Sequence, residues 1–361
     1  MRLIPTLILP ALVAPLAAQA RPEAPAPPTP AQRRAVVEAL AKALTARYVF
    51  PEVAAKTGGA LLERARKGAY DGAATAEAFA EALSKDLREL GNDGHFRVRF
   101  DPAFKPMGDD EDRTPTRAEV EEMRRFSQRH AFGLAKVEQL PGNVGYLDVR
   151  GFGPTEFVGP AFSAAISLLS GTDALILDLR LNGGGDPESV AYLVSHFFEE
   201  GDTRHLNSIY ERPKGTTRQY WTSPTVAPRY AKPVYVLTSA RTFSGGEECA
   251  YDFQTQKRAT LVGDTTGGGA NPGGMVTLGG GFIAFVPTGR AINPVTNTNW
   301  EHVGVKPDLA VPAAEALKVA HAAILKDLVA GEKDPAARKR LEGILAKVER
   351  GEAEAPVYTR R

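Results

Sequence analysis

Residues 174–185 read Ala-Leu-Ile-Leu-Asp-Leu-Arg-Leu-Asn-Gly-Gly-Gly. The first six form an apolar run interrupted only by Asp178, the pattern of a strand buried on both faces. Three glycines follow, and helical periodicity resumes over 189–198. A buried strand, a glycine turn and a helix make up the repeating unit of an α/β fold.

The same alternation extends outward on both sides. A strand is predicted over 145–149 and a helix over 157–169. Downstream, a strand is predicted over 234–238, a helix over 246–256, and strands over 260–262 and 282–286. Repeated strand-then-helix units imply a largely parallel sheet with helical crossovers. Upstream the texture is helical. Val36, Val37, Leu40, Leu44 and Tyr48 fall on one face behind Thr29-Pro30, a cap and first turn; Leu61 and Leu62 mark a second helix; Phe79, Leu83 and Leu87 mark a third. Residues 95–100 alternate as a strand, 118–129 read as a helix, and 313–348 are mostly helical. The predicted division is a helical bundle over 31–90, a catalytic α/β core over 91–315 and a helical extension over 316–361.

The N-terminus reads as a targeting segment. Arg2 precedes an uncharged apolar run, and Ala18-Gln19-Ala20 is a small-x-small cleavage site. Residues 1–20 are therefore expected to be a signal peptide, and the proline-rich 21–30 a tether. Pro10, Pro15 and the short run speak against a membrane anchor. The mature chain is expected to be exported, periplasmic or secreted, with no stable membrane insertion. With 44 Lys+Arg against 43 Asp+Glu the chain has no basic field for nucleic acid. Its single cysteine, Cys249, excludes an internal disulfide framework and a cysteine-rich zinc site. Cys249 is read as a buried small apolar residue.

Three places carry chemistry. In Asp178-Leu-Arg-Leu-Asn-Gly-Gly-Gly185 the glycines leave backbone N–H groups free to bind an anion or a developing oxyanion. Taken alone, such a run is equally a tight strand-to-helix turn. It is neither a dinucleotide fingerprint, since a third glycine is missing, nor a phosphate loop, since no Gly-Lys-Ser/Thr follows. In Thr238-Ser-Ala-Arg-Thr-Phe-Ser-Gly-Gly-Glu247 a strand gives way to a helix at Ser244. A serine there sits where a nucleophile is useful, and an N-cap serine is the plainer alternative. In Gly91-Asn-Asp-Gly-His95-Phe the turn frees His95 to project into a cleft as a general base; alone, it would be an exposed loop residue. No histidine pair has metal-ligand spacing. His130, His196 and His321 fall in helical patterns, and His205 is assigned to a loop.

Together with Glu301-x-x-Gly-Val-x-Pro-Asp308, these motifs in this order resemble the S41 serine peptidases, the family of the C-terminal processing proteases and the tricorn core, over roughly residues 31–315. The resemblance implies a crotonase-like spiral of β-β-α units behind an N-terminal helical bundle, a peptide or protein substrate, and no metal or organic cofactor. One catalytic design of the family pairs the serine with a lysine 25 positions later; that position here is Gly269, which excludes it. The other is a Ser-His-Glu type. It maps onto Ser244 as nucleophile, His95 as base and Glu301 as the carboxylate that orients the imidazole, with Gly245 and Gly184 or Gly185 as oxyanion donors. One departure stands out: the serine that precedes the histidine in the tricorn core is Gly94 here, so Glu301 acts directly or through water, or Asp93 helps. The resemblance also implies a PDZ domain after the bundle, but only about 40 residues separate Phe100 from Gly145, too few for such a module. The expected function is an exported serine peptidase. A hydrophobic-ligand carrier on the same fold, or an esterase or amidase with the same triad, is the alternative.

Overall fold

The computed structural model describes residues 27–104 and 114–352. The expected signal peptide (1–20) and most of the tether lie outside them. In chain order the elements are α1 (Pro30–Arg47), α2 (Pro51–Arg66), α3 (Ala76–Gly91), β1 (Arg97–Phe100), α4 (Arg117–Arg129), β2 (Leu134–Leu140), β3 (Val144–Val149), α5 (Thr155–Leu169), β4 (Ala174–Asp178), α6 (Pro187–Ser195), β5 (His205–Glu211), β6 (Thr216–Trp221), β7 (Val234–Thr238), α7 (Gly245–Thr255), β8 (Thr260–Gly263), β9 (Gly273–Gly279), β10 (Phe282–Pro287), β11 (Gly289–Ile292), β12 (Leu309–Ala310), α8 (Ala313–Gly331) and α9 (Pro335–Arg350). The class is α/β with a helical N-terminal part, as expected. Thr29 caps α1 as its position before Pro30 implies. It accepts from the Gln32 N–H at 3.2 Å, while the Gln32 side chain accepts from the Thr29 N–H at 2.8 Å.

Six strands in the order β12-β8-β7-β4-β3-β2 form the central sheet. Its pairs are parallel except β2 with β3. Alternate residues serve opposite faces. Leu147, Val149, Leu175, Leu177, Val234, Val236 and Leu261 point into a core with α5, α6 and α7. Val144, Tyr146, Ala174, Ile176, Leu237 and Val262 point into a second core closed by α8 through Ala316, Ala320 and Ile324. This two-sided burial explains the unbroken apolar run at 174–177, and each such leucine contributes about 1.5–3 kcal/mol. It also means that α8 is one wall of the core. The domain boundary expected at 315/316 falls inside this helix, because the apolar stripe at 316, 320 and 324 continues the sheet's packing.

The remaining strands form antiparallel sheets β1-β10-β9 and β11-β5-β6. Helices α1–α3 do not close a core among themselves. Leu40, Leu44, Phe79, Leu83 and Leu87 pack against Val98, Leu278, Phe282, Ala284 and Val286 of the first of these sheets. His205, expected in a loop, opens β5 and stacks on Trp221. Among the described residues no helix is long and apolar enough to cross a membrane.

Candidate active site

Two loops meet at the C-terminal edge of the central sheet, one after β4 and one after β7. Thr242 Oγ1 donates to Leu179 O at 2.8 Å, and Phe243 N–H donates to Asn182 O at 3.0 Å. Asn182, fully buried, donates through Nδ2 to Val149 O at 3.0 Å and accepts the Gly184 N–H at 2.8 Å. Asp178 and Arg180 brace the first loop: Arg180 forks onto Asp178 and donates to Ala313 O at 2.8 Å.

This stitching holds Ser244 at the start of α7 with φ +53° and ψ −123°. A non-glycine residue with positive φ stores strain, and such residues gather at functional sites. The turn is fixed by Glu247. Its buried carboxylate accepts the N–H of Ser244 (2.9 Å), Gly268 (2.6 Å) and Gly269 (2.8 Å), and the Thr266 hydroxyl (2.5 Å). Burial raises the Glu247 pKa, and these four donors oppose the rise. In the sequence Glu247 stands out only as the end of a motif, although Ser-x-x-Glu before a helix is a capping-box signature.

Gly184 has φ +98°, and a Cβ on it would stand 2.7 Å from Ser244 Cβ and 2.8 Å from Gly245 N. Only glycine permits that approach. Gly184→Ala is expected to cost about 1–3 kcal/mol of stability and to displace the serine, read as a lower Tm and a lower kcat. Because the Gly184 N–H is committed to Asn182, it is unavailable to an oxyanion. The N–H groups of Gly185 and Gly245 carry no hydrogen bond among the described residues. They are neighbours, since a Cβ on Gly245 would lie 3.0 Å from Gly185 N. Of the two glycines expected from the sequence, Gly185 is the one free to donate.

His95 lies in the loop between α3 and β1. Its ring is flanked by Phe243 (centroids 4.6 Å) and stacked on Phe285 (5.8 Å). It shares with Ser244 a cleft of about 900 Å³ between α3, β1 and the core. Neither ring nitrogen has a hydrogen-bond partner among the described residues. The carboxylate facing the ring belongs to Asp93: Oδ1 accepts the His95 backbone N–H at 2.9 Å and stands 3.6 Å from Nδ1. Oδ2 accepts from Tyr48 Oη (3.2 Å) and Asn271 Nδ2 (2.9 Å). Burial alone would raise the Asp93 pKa, but the hydrogen bonds from His95 and Asn271 outweigh it and hold the carboxyl below its ordinary range.

Glu301 is held by the backbone of the neighbouring loop. Its Oε2 accepts the Ala270 N–H at 2.5 Å, its Oε1 is buried without a hydrogen bond, and His302 Nδ1 stands 3.5 Å from that oxygen. No hydrogen bond or ion pair joins it to His95 among the described residues. Burial first, and the nearby Asp93 charge second, push its pKa up to about 8. A carboxyl whose pKa is raised by burial carries less charge near neutral pH. With Gly94 there is no hydroxyl between Glu301 and the ring, and the carboxylate oxygen at 3.6 Å from Nδ1 is that of Asp93.

Cys249 is fully buried on α7, and burial drives its thiol pKa well up, which suits the apolar role expected of it. Asp308 accepts the Leu261 N–H at 2.8 Å and so ties β8 to the segment that carries Glu301.

A strained serine beside two unengaged N–H groups and an imidazole suits acyl transfer. By sequence, residues 143–311 match peptidase family S41, while residues 29–129 match the N-terminal domain of peptidase S41 in eukaryotic IRBP. It is 28% identical over 182 residues to the carboxy-terminal processing protease CtpB of Bacillus subtilis (strain 168), a stretch covering 49% of this chain and 36% of that one. The chain spans about a third of the length of the curated relatives it matches. In fold it is similar to a lipoprotein from Streptococcus agalactiae, with a TM-score of 0.53 and 12% identity over 86% of this chain and 100% of that one. The tricorn protease gives a TM-score of 0.51 and 14% identity over 89% of this chain and 37% of that one.

Proposed function

We propose that the chain is an exported serine peptidase working through an acyl-enzyme. Ser244 Oγ attacks the peptide carbonyl and passes its proton to His95 Nε2. The resulting imidazolium is held through Nδ1 by the Asp93 carboxylate, and the tetrahedral oxyanion is bound by the N–H groups of Gly245 and Gly185. Collapse expels the amine, which takes the proton from His95, and water repeats the sequence to release the acid. The observation that carries this reading is the backbone of Ser244, held at φ +53° at a helix start beside two unengaged N–H groups. Export rests on the leader-like residues 1–20.

A fluorophosphonate probe tests the reading, because only a serine with an assembled base reacts. Labelling of Ser244 is expected, absent in Ser244→Ala and strongly reduced in His95→Ala. Equal labelling of wild type and His95→Ala would remove His95 from the mechanism. One feature favours the carrier reading: an apolar cavity of about 710 Å³ walled by Met123, Phe126, Phe132, Leu134, Phe152 and Val158. An unlabelled Ser244 together with tight binding of an apolar fluorophore displaced on substitution of Phe132 would select that reading instead.

A further inference from the structure

A second, much smaller space opens beside the nucleophile. It is a recess of about 20 Å³ that borders Ser244, Gly185 and Pro272, residues that also line the large cleft, and so branches from it. Its walls include Ile209, Ala270, Ala291 and Trp300. The last three are at most 3% exposed, and Trp300 is fixed by its Nε1–H donating to Gly269 O at 2.7 Å. Glu248, 4% exposed, lines the same space.

Glu248 is chemically unfinished. Its Oε1 is buried without a hydrogen-bond partner, as are both amide atoms of Asn207 and both carboxyl oxygens of Asp252 beside it. Burial raises the Glu248 pKa to about 7, and the Asp186 charge adds to the rise. Buried polar atoms without partners are rare, and each calls for a physical explanation; of these three residues Glu248 is the one that borders the recess. A space of this size holds one water or one small side chain.

The position of the recess follows from the chemistry proposed above, on which this inference rests. In an acyl-enzyme the carbonyl carbon is bonded to Ser244 Oγ and its oxygen lies against the Gly245 and Gly185 N–H groups. The side chain on the acyl side of the scissile bond is two bonds from that carbon. It must enter a space that borders Ser244, Gly185 and Gly245, and the recess borders all three. We infer that this recess receives the side chain of the residue whose carbonyl is attacked, that it admits only small side chains, and that Glu248 selects a hydroxyl there, so that serine is preferred. A serine hydroxyl satisfies Glu248 Oε1, whereas an alanine methyl expels water and leaves that oxygen unpaired. A site built around a hydrogen bond discriminates against the analogue that lacks it.

The test is a set of peptides identical except for Gly, Ala, Ser, Leu or Phe at that position, cleaved by the full chain and read by mass spectrometry, with fluorophosphonate labelling of Ser244 run alongside. Serine is expected to be favoured over alanine about 10-fold in kcat/KM, and leucine and phenylalanine to be at least about 100-fold slower. Glu248→Gln keeps a hydrogen-bonding group and is expected to keep the serine preference. Glu248→Met is expected to collapse the Ser/Ala ratio to near one. Should Glu248→Met fail to fold, Ala291→Val narrows the recess and is expected to shift preference toward glycine. Cleavage after leucine or phenylalanine at rates equal to serine, or an unchanged Ser/Ala ratio in Glu248→Met, overturns the subsite while leaving a labelled Ser244 intact. Absence of both cleavage and labelling defeats the peptidase reading, and the subsite with it.

Discussion

An Asp93→Asn chain is expected to lose about 10³–10⁴-fold in kcat, while Glu301→Gln stays within a few-fold of wild type. Asp93 Oδ1 stands 3.6 Å from His95 Nδ1, and among the described residues Glu301 makes no hydrogen bond to the ring. Replacing the carboxylate by an amide removes the charge that stabilises the imidazolium and permits the wrong tautomer; in a Ser-His-Asp triad the same substitution costs about 10⁴. The fold should persist, because an asparagine oxygen still accepts the His95 backbone N–H that Asp93 accepts at 2.9 Å. Glu301→Gln imitates the protonated form that burial and the Asp93 charge favour. Steady-state kinetics on a peptide, with circular dichroism as the control, decide the matter. A mild Asp93→Asn together with a hundred-fold loss in Glu301→Gln would return the orienting role to Glu301.

The second large effect is on stability against pH. Folded Glu301 titrates at about 8, and an unfolded glutamate near ~4.3. Between those values the folded chain holds a proton that the unfolded chain has released, so the free energy of unfolding falls as pH rises through the window. The contribution is fully present below the lower value and lost above the upper one, a change of a few kcal/mol. Glu248 adds a slope of the same sign up to about 7. Asp93, held low, acts in the opposite sense, and its stabilisation is lost only as pH falls into the acid range. Glu301→Gln is therefore expected to lose part of the wild-type decline between about pH 5 and 8 and to be the more stable protein at pH 8.5, as measured by urea unfolding. Parallel curves for the two proteins would show that Glu301 is ionised in the folded state at neutral pH.

The sequence showed most where the determinants are local. The strands at 174–178 and 234–238 are apolar runs bounded by turn chemistry, and Thr29-Pro30 opens α1. Ser244 and His95 stand out because each sits where secondary structure breaks. Less was legible where partners are distant in the chain. Asn271 reaches Asp93 across 178 positions, and Tyr48 reaches it across 45; neither has a local signal. The strand β6 is mostly exposed, and β9 begins and ends in glycine, so neither displays a hydrophobic period. For Glu301 the sequence offers only analogy, while its burial beside Asp93 and its bond to Ala270 arise only from folding. That the Gly184 N–H is committed turns on Asn182, which stands inside a quoted motif but whose side-chain partners no local pattern reveals.

The pairing of β1 with β10 has a consequence in time. His95 and Asp93 leave the ribosome early, but Asn271 and the stacked Phe285 that contact them are made about 180 residues later, after Ser244 itself. A nascent chain thus carries a serine and a histidine that have no common frame until three quarters of the polypeptide exists. On the mechanism proposed above, competence would arrive with the β9–β10 hairpin, in one step with the closing of the core beneath α1–α3.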